Sequence, residues 1–485
     1  MTSSNLKLKL SFNYLLIAMI IALVAVLVSV TSVFATGSKA IPLRGIVEGF
    51  YGVPWTQQQR LDMLDFMAGK KMNAYIYGPK DDEYHRKYWR QPYPEDKLQD
   101  LQQLINRAKA DNIEFIFAVS PGNDIDFASA KDKAAMVNKM TAMYKMGVRQ
   151  FALFFDDIPT KDAKGQAEFI NYINRNFVKK HKDCKRLIVV PTEYYLLAME
   201  NQGNVQEYTA AFAGNLDKDI LVLYTGAEVC PDGLTEETIS RVNEIYGRAA
   251  GLWWNYPVND YMEQKLALGP LDSITAEADG TDIPAFFVNP MFKPELSKIA
   301  IATAADYALA PAEFNASEAW QKALQEQYGE LAQAMAVFAD HSQRLENNWA
   351  HIGHGDAARL REMYDNYWRA QANHSQEAAA IRQRLLEDNA NRSQMVQMLQ
   401  EMLKPEVKAE CQEQLELLQL YTGQERIGLY IMDNEPDRDE AYRLLRAMAD
   451  KQKAIEAKQQ TAKISEGVLD GFYADFLKWF HDKYQ

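Results

Sequence analysis

The chain has 485 residues, 47% of them hydrophobic and 25% charged, a globular composition that argues against wholesale disorder. Its formal net charge is −13 and no cluster of Lys and Arg stands out, which argues against a nucleic-acid partner. Three scattered cysteines, Cys184, Cys230 and Cys411, are too few for a disulfide framework or a zinc ribbon.

At the N-terminus, Lys7 and Lys9 precede an apolar run over 14–30. The segment Thr31-Ser32-Val33-Phe34-Ala35 then offers small residues suited to cleavage after Ala35. Residues 1–35 are expected to be a signal peptide or, because the run is long for one, a membrane anchor. Either leaves the functional part secreted or periplasmic, free or tethered to the inner membrane.

From 43 to 307 short apolar runs alternate with amphipathic stretches. Strands are expected at 45–50, 74–77, 115–120, 151–155, 187–190, 220–224, 251–254 and 285–288, with helices between them such as 56–70, 96–110, 131–146 and 235–246. Eight strand–helix units of this length define an α/β class protein with a (β/α)8 TIM barrel over 43–309. A doubly wound open sheet is the alternative, and no GxGxxG or Walker loop follows any strand to favour it.

After Pro311 the texture turns to Ala, Gln, Glu, Leu and Met. Helices are expected at 312–339, 356–386, 393–421, 438–460 and 469–484, with breaks such as Asp433-Asn434-Glu435-Pro436-Asp437. This describes an all-α helical bundle over 310–485, a surface through which a homodimer could form. Trp349, Trp368 and Trp479 read as its core. His351, His354 and Asp356 read as a polar turn between helices rather than a metal site, and no metal or organic cofactor is implied.

In a barrel of this kind the working residues sit at the C-terminal strand ends. Those ends read Glu48-Gly49-Phe50-Tyr51-Gly52, Gly78-Pro79-Lys80-Asp81-Asp82, Asp156-Asp157, Pro191-Thr192-Glu193-Tyr194, Tyr224-Thr225-Gly226, Trp253-Trp254-Asn255 with Asn259-Asp260-Tyr261, and Asn289-Pro290. Polar and aromatic residues recur at one end of nearly every strand. Asp156-Asp157 is the sharpest feature. Two adjacent carboxylates after five apolar residues should titrate as a unit, which suits one acid beside one base; a helix N-cap is the competing reading. Trp253, Trp254, Tyr194, Tyr224 and Tyr261 could offer faces to a pyranose, and Lys80, Asp260, Asn255 and Asn289 could read its hydroxyls.

Taken together, Val47-Glu48-Gly49-Phe50-Tyr51-Gly52 with Pro54-Trp55, Pro79-Lys80-Asp81-Asp82, Phe154-Phe155-Asp156-Asp157-Ile158, Pro191-Thr192-Glu193-Tyr194, Thr225-Gly226, Asn259-Asp260-Tyr261 and Asn289-Pro290 resemble glycoside hydrolase family 84. That family comprises protein O-GlcNAcases and bacterial β-N-acetylglucosaminidases, some first described as hyaluronidases. The resemblance implies a retaining, exo-acting β-N-acetylglucosaminidase in which the substrate's own 2-acetamido group is the nucleophile. It implies that Asp156 steers the acetamide and Asp157 serves as acid and base. It assigns Tyr194, Thr225 and Trp253, with Val229 as a weaker match, to the acetamido pocket. It assigns Asn255 to support of the pair, and Gly49, Lys80, Asp260 and Asn289 to the sugar hydroxyls. Tyr261 joins them as an aromatic face. The implied partner is a terminal N-acetylglucosamine on a glycoprotein or glycan. Where some relatives carry Cys before the Pro-Thr-Glu-Tyr motif, this chain has Val190.

Other readings remain open at this level. One is an endo-acting hexosaminidase on hyaluronan or chitin-like polymers, though an acidic chain disfavours polyanionic hyaluronan. The others are a non-catalytic glycan-binding barrel and an anchored structural protein. Should a carboxylate nucleophile exist, Glu48 and Glu193 are the candidates.

Overall fold

The computed structural model describes residues 39–484. The leader expected at 1–35 lies outside them. Among the described residues no helix is long and apolar enough to cross a membrane.

Eight parallel strands close into a barrel: β1 (Leu43–Glu48), β2 (Ala74–Tyr77), β3 (Glu114–Val119), β4 (Gln150–Phe154), β5 (Ile188–Val190), β6 (Leu221–Tyr224), β7 (Gly251–Trp254) and β8 (Ala285–Val288), with β8 pairing back to β1. The fold is thus the (β/α)8 barrel rather than the open sheet. Strand residues alternate between two environments. Val47, Ile76, Ala118, Phe154, Val190, Leu223, Trp253 and Phe287 fill the interior. Ile46, Tyr75, Phe117, Leu153, Val189, Tyr224, Trp254 and Val288 pack outward beneath the helices. Burial on both faces is why the strands read as continuous apolar runs.

The barrel helices are α1 (Gln57–Gly69), α2 (Glu95–Ala110), α3 (Ala130–Met146), α4 (Ala163–Asn176), α5 (Glu207–Asn215), α6 (Glu236–Tyr246) and α7 (Pro294–Leu309). Their starts follow capping chemistry: Thr56 and Gln59 form a capping box before α1, and Ser129, Asp162 and Thr235 accept backbone N–H groups before α3, α4 and α6. One expectation fails here. No helix follows β7 among the described residues; 255–284 is irregular. Pro257, Gly269-Pro270, Gly280 and Pro284 interrupt it too often for an i to i+4 ladder.

The remaining helices are α8 (Ala316–Tyr328), α9 (Ala332–Asp340), α10 (Ala358–Ala372), α11 (Glu377–Met402), α12 (Pro405–Asn434), α13 (Arg438–Lys458) and α14 (Leu469–Tyr484). The single helices expected at 312–339 and 356–386 are each broken. Gly329 takes φ +54 and splits the first, and His374 at φ +50 ends the second. The start expected at 393 is also displaced, because α11 runs on to Met402 and α12 opens at Pro405.

These helices grip the irregular segment and the last barrel helix. Glu410 on α12 accepts the N–H groups of Glu295 at 3.1 Å and Leu296 at 2.9 Å, satisfying the first turn of α7. Gln414 donates to the Gln264 carbonyl at 2.7 Å, and Trp320 donates to that of Leu268 at 2.8 Å. Asp356 accepts from the N–H groups of Gln343 at 2.8 Å and Arg344 at 3.0 Å and pairs with Lys265 at 2.8 Å. The stretch containing His351, His354 and Asp356 is therefore the base and arm of a small hairpin, Leu345–Glu346 paired with His351–Ile352. His354 faces Asp272 at 3.0 Å.

Beneath the barrel mouth, His85 is wholly buried, with Nδ1 against the Ala118 carbonyl at 2.8 Å. Burial pulls its imidazole down from the ordinary value to about 4. The unfolded chain therefore binds a proton that the fold rejects. The stability this contributes is present above pH 6.5 and is lost as pH falls toward 4, by about 3 kcal/mol. Chemical denaturation of wild type and His85→Phe across that interval should give a stability difference that changes with pH; a constant difference contradicts the account.

Candidate active site

Asp156 and Asp157 follow β4 directly and meet different surroundings. Asp156 is buried, 7% exposed, and one of its carboxylate oxygens, Oδ2, takes an ion pair from the buried ammonium of Lys80. Its other oxygen, Oδ1, is buried with no hydrogen-bond partner. Lys80 arrives from the loop after β2 and also lies 5.9 Å from the Phe154 ring and 6.0 Å from that of Trp253. Asp157 is exposed, and its backbone adopts φ +54. That conformation is uncommon for a residue with a side chain, and it turns the two carboxylates apart. Tyr51 donates to Oδ2 of Asp157 at 2.9 Å and Tyr194 donates to Oδ1 at 3.0 Å. Both phenols are held well above their ordinary pKa, first by burial and then by the charges of Asp157 and Asp156, so both stay proton donors.

A second network surrounds Asn255. Its Oδ1 accepts from Trp253 Nε1 at 2.8 Å and from Asn289 Nδ2 at 3.0 Å, and its Nδ2 donates to the Val229 carbonyl at 2.9 Å. Asn289 Oδ1 accepts from Gly49 N at 3.3 Å. Gly49 has no room for a side chain: a Cβ there would lie 2.4 Å from the Trp253 indole. Thr225 Oγ1 donates to the Glu228 carbonyl at 2.8 Å, shaping the turn that presents Val229. Asp260 accepts from Tyr51 N at 2.7 Å, and burial raises its carboxyl above the ordinary range.

Of these groups all but Phe154 and Glu228 line one pocket of about 400 Å³ at the C-terminal end of the barrel, within the size range of small-ligand sites. Gly49, Lys80, Asp156, Asp157, Tyr194, Thr225, Val229, Trp253, Asn255, Asp260, Tyr261 and Asn289 are all brought together there. Tyr51, Val190, Cys230, Val258 and Trp349 also line it and were not singled out as site residues. Burial holds the Cys230 thiol up at about 12, a neutral wall group.

Three aromatic expectations need correction. Trp349 is not bundle core: it is 41% exposed on the small hairpin and packs against Tyr261 with ring centroids 4.7 Å apart, at the pocket. Its signal was the turn-forming Asn347-Asn348 before it, which marks a loop rather than a helix. Trp254 and Tyr224, offered as sugar platforms, point outward into the layer beneath the helices, because each sits one residue out of phase with the barrel interior. Trp368 and Trp479 do pack on the helical core.

Glu48 and Glu193 do not line the pocket. Glu48 faces outward, where Arg60 binds it at 2.7 Å and Tyr75 donates to it. Glu193 is held by Thr209 at 2.6 Å and Lys161 at 3.1 Å. Among the described residues no group of three or more His, Cys, Asp or Glu is placed to hold a metal ion.

A closed barrel whose sugar-sized pocket sets paired carboxylates among indole and phenol faces defines a glycoside hydrolase of the TIM-barrel class. Comparison with known families narrows this. The β-N-acetylglucosaminidase family model matches residues 44–340, and a hyaluronidase post-catalytic domain-like model matches 359–473. The chain belongs to that β-N-acetylglucosaminidase family, glycoside hydrolase family 84. The protein O-GlcNAcase of Rattus norvegicus is 32% identical over 280 residues, covering 56% of this chain and 30% of the rat protein, and that of Mus musculus matches equally. The chain thus spans less than a third of the length of those curated relatives. The solved structure of CpGH84B is 34% identical with a TM-score of 0.86, covering 90% of this chain and 77% of that one. A mutant of the Thermobaculum terrenum O-GlcNAc hydrolase is 28% identical with a TM-score of 0.80, covering 91% and 95%.

Proposed function

We propose that the protein is a retaining exo-β-N-acetylglucosaminidase that uses the substrate's 2-acetamido group as nucleophile. The observation that carries this reading is the state of Asp156. One oxygen is saturated by Lys80, while the other is a buried acceptor without a donor. An unpaired buried carboxylate oxygen is costly, and a substrate N–H that completes it is strongly favoured.

The steps follow from that placement. The acetamide N–H donates to Asp156 Oδ1, which orients the carbonyl oxygen toward C1 and stabilises the positive charge that grows on the amide. That oxygen forms a bond to C1 as the glycosidic C1–O bond breaks, giving an oxazolinium ion whose N–H stays hydrogen-bonded to the Asp156 carboxylate. Asp157 gives its proton to the departing oxygen. Asp157, now ionised, takes a proton from water as the water attacks C1, which reopens the ring and returns the β-anomer. Tyr194 and Tyr51 donate to the two oxygens of the Asp157 carboxylate and hold it in place through the cycle. Trp253 and Tyr194 wall the acetamide side, while Asn255 fixes Trp253 and Asn289. Asp260, Asn289 and the Gly49 edge face the sugar hydroxyls. No second carboxylate is needed as nucleophile, in keeping with Glu48 and Glu193 lying away from the pocket. The family membership and relatives named protein O-GlcNAcase support the same sugar.

Proton NMR of a digest should show the β-anomer of N-acetylglucosamine first, and a thiazoline analogue of the oxazoline should inhibit competitively. Initial α-anomer, or indifference to the thiazoline at millimolar concentration, would overturn the acetamido mechanism.

A further inference from the structure

Cations spread through the sequence are gathered by the fold at one end of the barrel. In a parallel barrel the segments that lead into the strands share the N-terminal end, opposite the pocket. Lys71, Lys109, Lys145, Lys182, Arg186 and Lys218 stand in those segments, ahead of β2, β3, β4, β5 and β6. All six are exposed, and none forms an ion pair with a described residue. Cations in the last turn of a helix meet its negative end, which accounts for Lys109 and Lys145. It does not account for Lys182, Arg186 and Lys218, which lie in loops. A cleft of about 590 Å³ opens on the same face, lined by Asn73, Lys109, Asn112, Arg149 and Lys185. Arg149 is neutralised by Asp183 at 2.6 Å and Lys185 by Glu114 at 2.7 Å, so Lys109 is the unmet charge of the cleft. The opposite end differs in sign. Asp81, Asp157 and Glu263 are exposed in the segments after β2, β4 and β7 and form no ion pair with a described residue. A chain of net charge −13 thus keeps a positive face behind an acidic pocket mouth.

We propose that this positive face docks on an anionic lipid bilayer and holds the pocket outward, away from the membrane. The proposal stands apart from the hydrolase reading. Each cation near an anionic surface adds a modest attraction, and repulsion of the acidic mouth sets the orientation. Two observations favour a lipid surface over a soluble polyanion. The six cations are spread across the strand entries from β2 to β6, a broad arc rather than a groove that would follow one strand of polymer. The described chain also begins at this face, where the Lys39 carbonyl accepts from Gly280 N at 3.0 Å and Ile41 N donates to the Ala308 carbonyl at 2.8 Å. The apolar run over 14–30 precedes it in sequence, and residues 31–38 span at most about 30 Å however they are arranged. Wherever that run is held in a bilayer, this end of the barrel is the end kept near it.

The test sediments the chain from Lys39 onward, which holds the whole closed barrel and the helical half, with vesicles of phosphatidylcholine alone or mixed with phosphatidylglycerol. It should bind only the mixed vesicles, and binding should fall steeply as salt is raised. Lys182→Gln with Arg186→Gln should weaken binding by roughly twentyfold, about fivefold for each charge, with thermal unfolding unchanged. Lys453→Gln with Lys478→Gln, the same change of charge at exposed positions of α13 and α14, should leave binding as it was. Equal weakening by the two pairs would make the effect one of net charge and overturn the proposal, as would binding to neither vesicle or to both alike. Retention on immobilised heparin without binding to the vesicles would assign the face to a soluble polyanion and overturn the lipid assignment. With the full chain in phosphatidylglycerol vesicles, hydrogen exchange should slow at 109–113 and 179–187 and stay unchanged at 80–83 and 156–162. No slowing, or slowing at the second pair of segments instead, would contradict the orientation.

Discussion

Asp157→Asn is expected to lower turnover of an alkyl β-N-acetylglucosaminide by roughly 10²-fold or more, and that of the 4-nitrophenyl glycoside by less. The difference follows from the bond being broken. An alkoxide leaves only with a proton, which Asp157 supplies, whereas 4-nitrophenolate is stable as an anion. With the nitrophenyl substrate the remaining loss should fall on oxazoline breakdown, where Asp157 acts as base. Asp156→Asn should differ in kind. It removes the charge that polarises the acetamide, so its loss should be as large for the poor leaving group as for the good one. Because Asp156 is buried and Asp157 exposed, the two variants also separate structurally: Asp156→Asn leaves the Lys80 ammonium uncompensated, and Asp157→Asn leaves no buried charge. Steady-state kinetics with matched alkyl and nitrophenyl substrates decides the assignment. Identical leaving-group dependence in both variants would remove the distinction between the two carboxylates.

Lys80→Met should lower kcat/KM by roughly 10²-fold through Asp156 rather than through any contact of its own with the breaking bond. Both partners of this ion pair are buried, and removing one leaves the other as an unpaired charge. Asp156 then loses the cation that orients its carboxylate and offsets its burial, so its free oxygen is no longer held in place to accept from the acetamide. The double variant Lys80→Met with Asp156→Asn should be scarcely worse than Asp156→Asn alone, because residues that act as one unit are not additive. Additive losses would mean that Lys80 works independently of Asp156, for instance on a sugar hydroxyl alone. Thermal unfolding of the single and double variants should follow the same pattern, with the double variant recovering part of the stability lost by Lys80→Met.

The barrel was legible because its strands are buried on both faces, which writes each as a short apolar run bounded by Gly, Pro or Asp. Strand positions agree to within two residues, and Asp156-Asp157 stands where a run ends abruptly in charge. Most of the pocket followed from one rule about strand ends. What the pattern could not supply was phase and partnership. Trp253 and Trp254 are adjacent in sequence, yet one faces the pocket and the other the helices, and only strand register decides which. Glu48 stands at the right end of β1 but points to Arg60. The helical half was misjudged where local breaks interrupt a continuous apolar period, at Gly329 and His374, since periodicity survives a kink that the backbone does not. Trp349 was missed for a different reason. Its hairpin has strands of two residues each, too short for any alternation, and its place at the pocket depends on Asp356 and Lys265, far apart in sequence.

The site's central claim is that the acetamido group of the substrate does the work of a nucleophile, and its most direct test is release of 4-nitrophenol by the purified protein from two glycosides alike except at C2. The β-N-acetylglucosaminide should be hydrolysed and the β-glucoside, with a hydroxyl at C2, should not. Hydrolysis of both at comparable rates would require a carboxylate nucleophile in the pocket and would contradict the account.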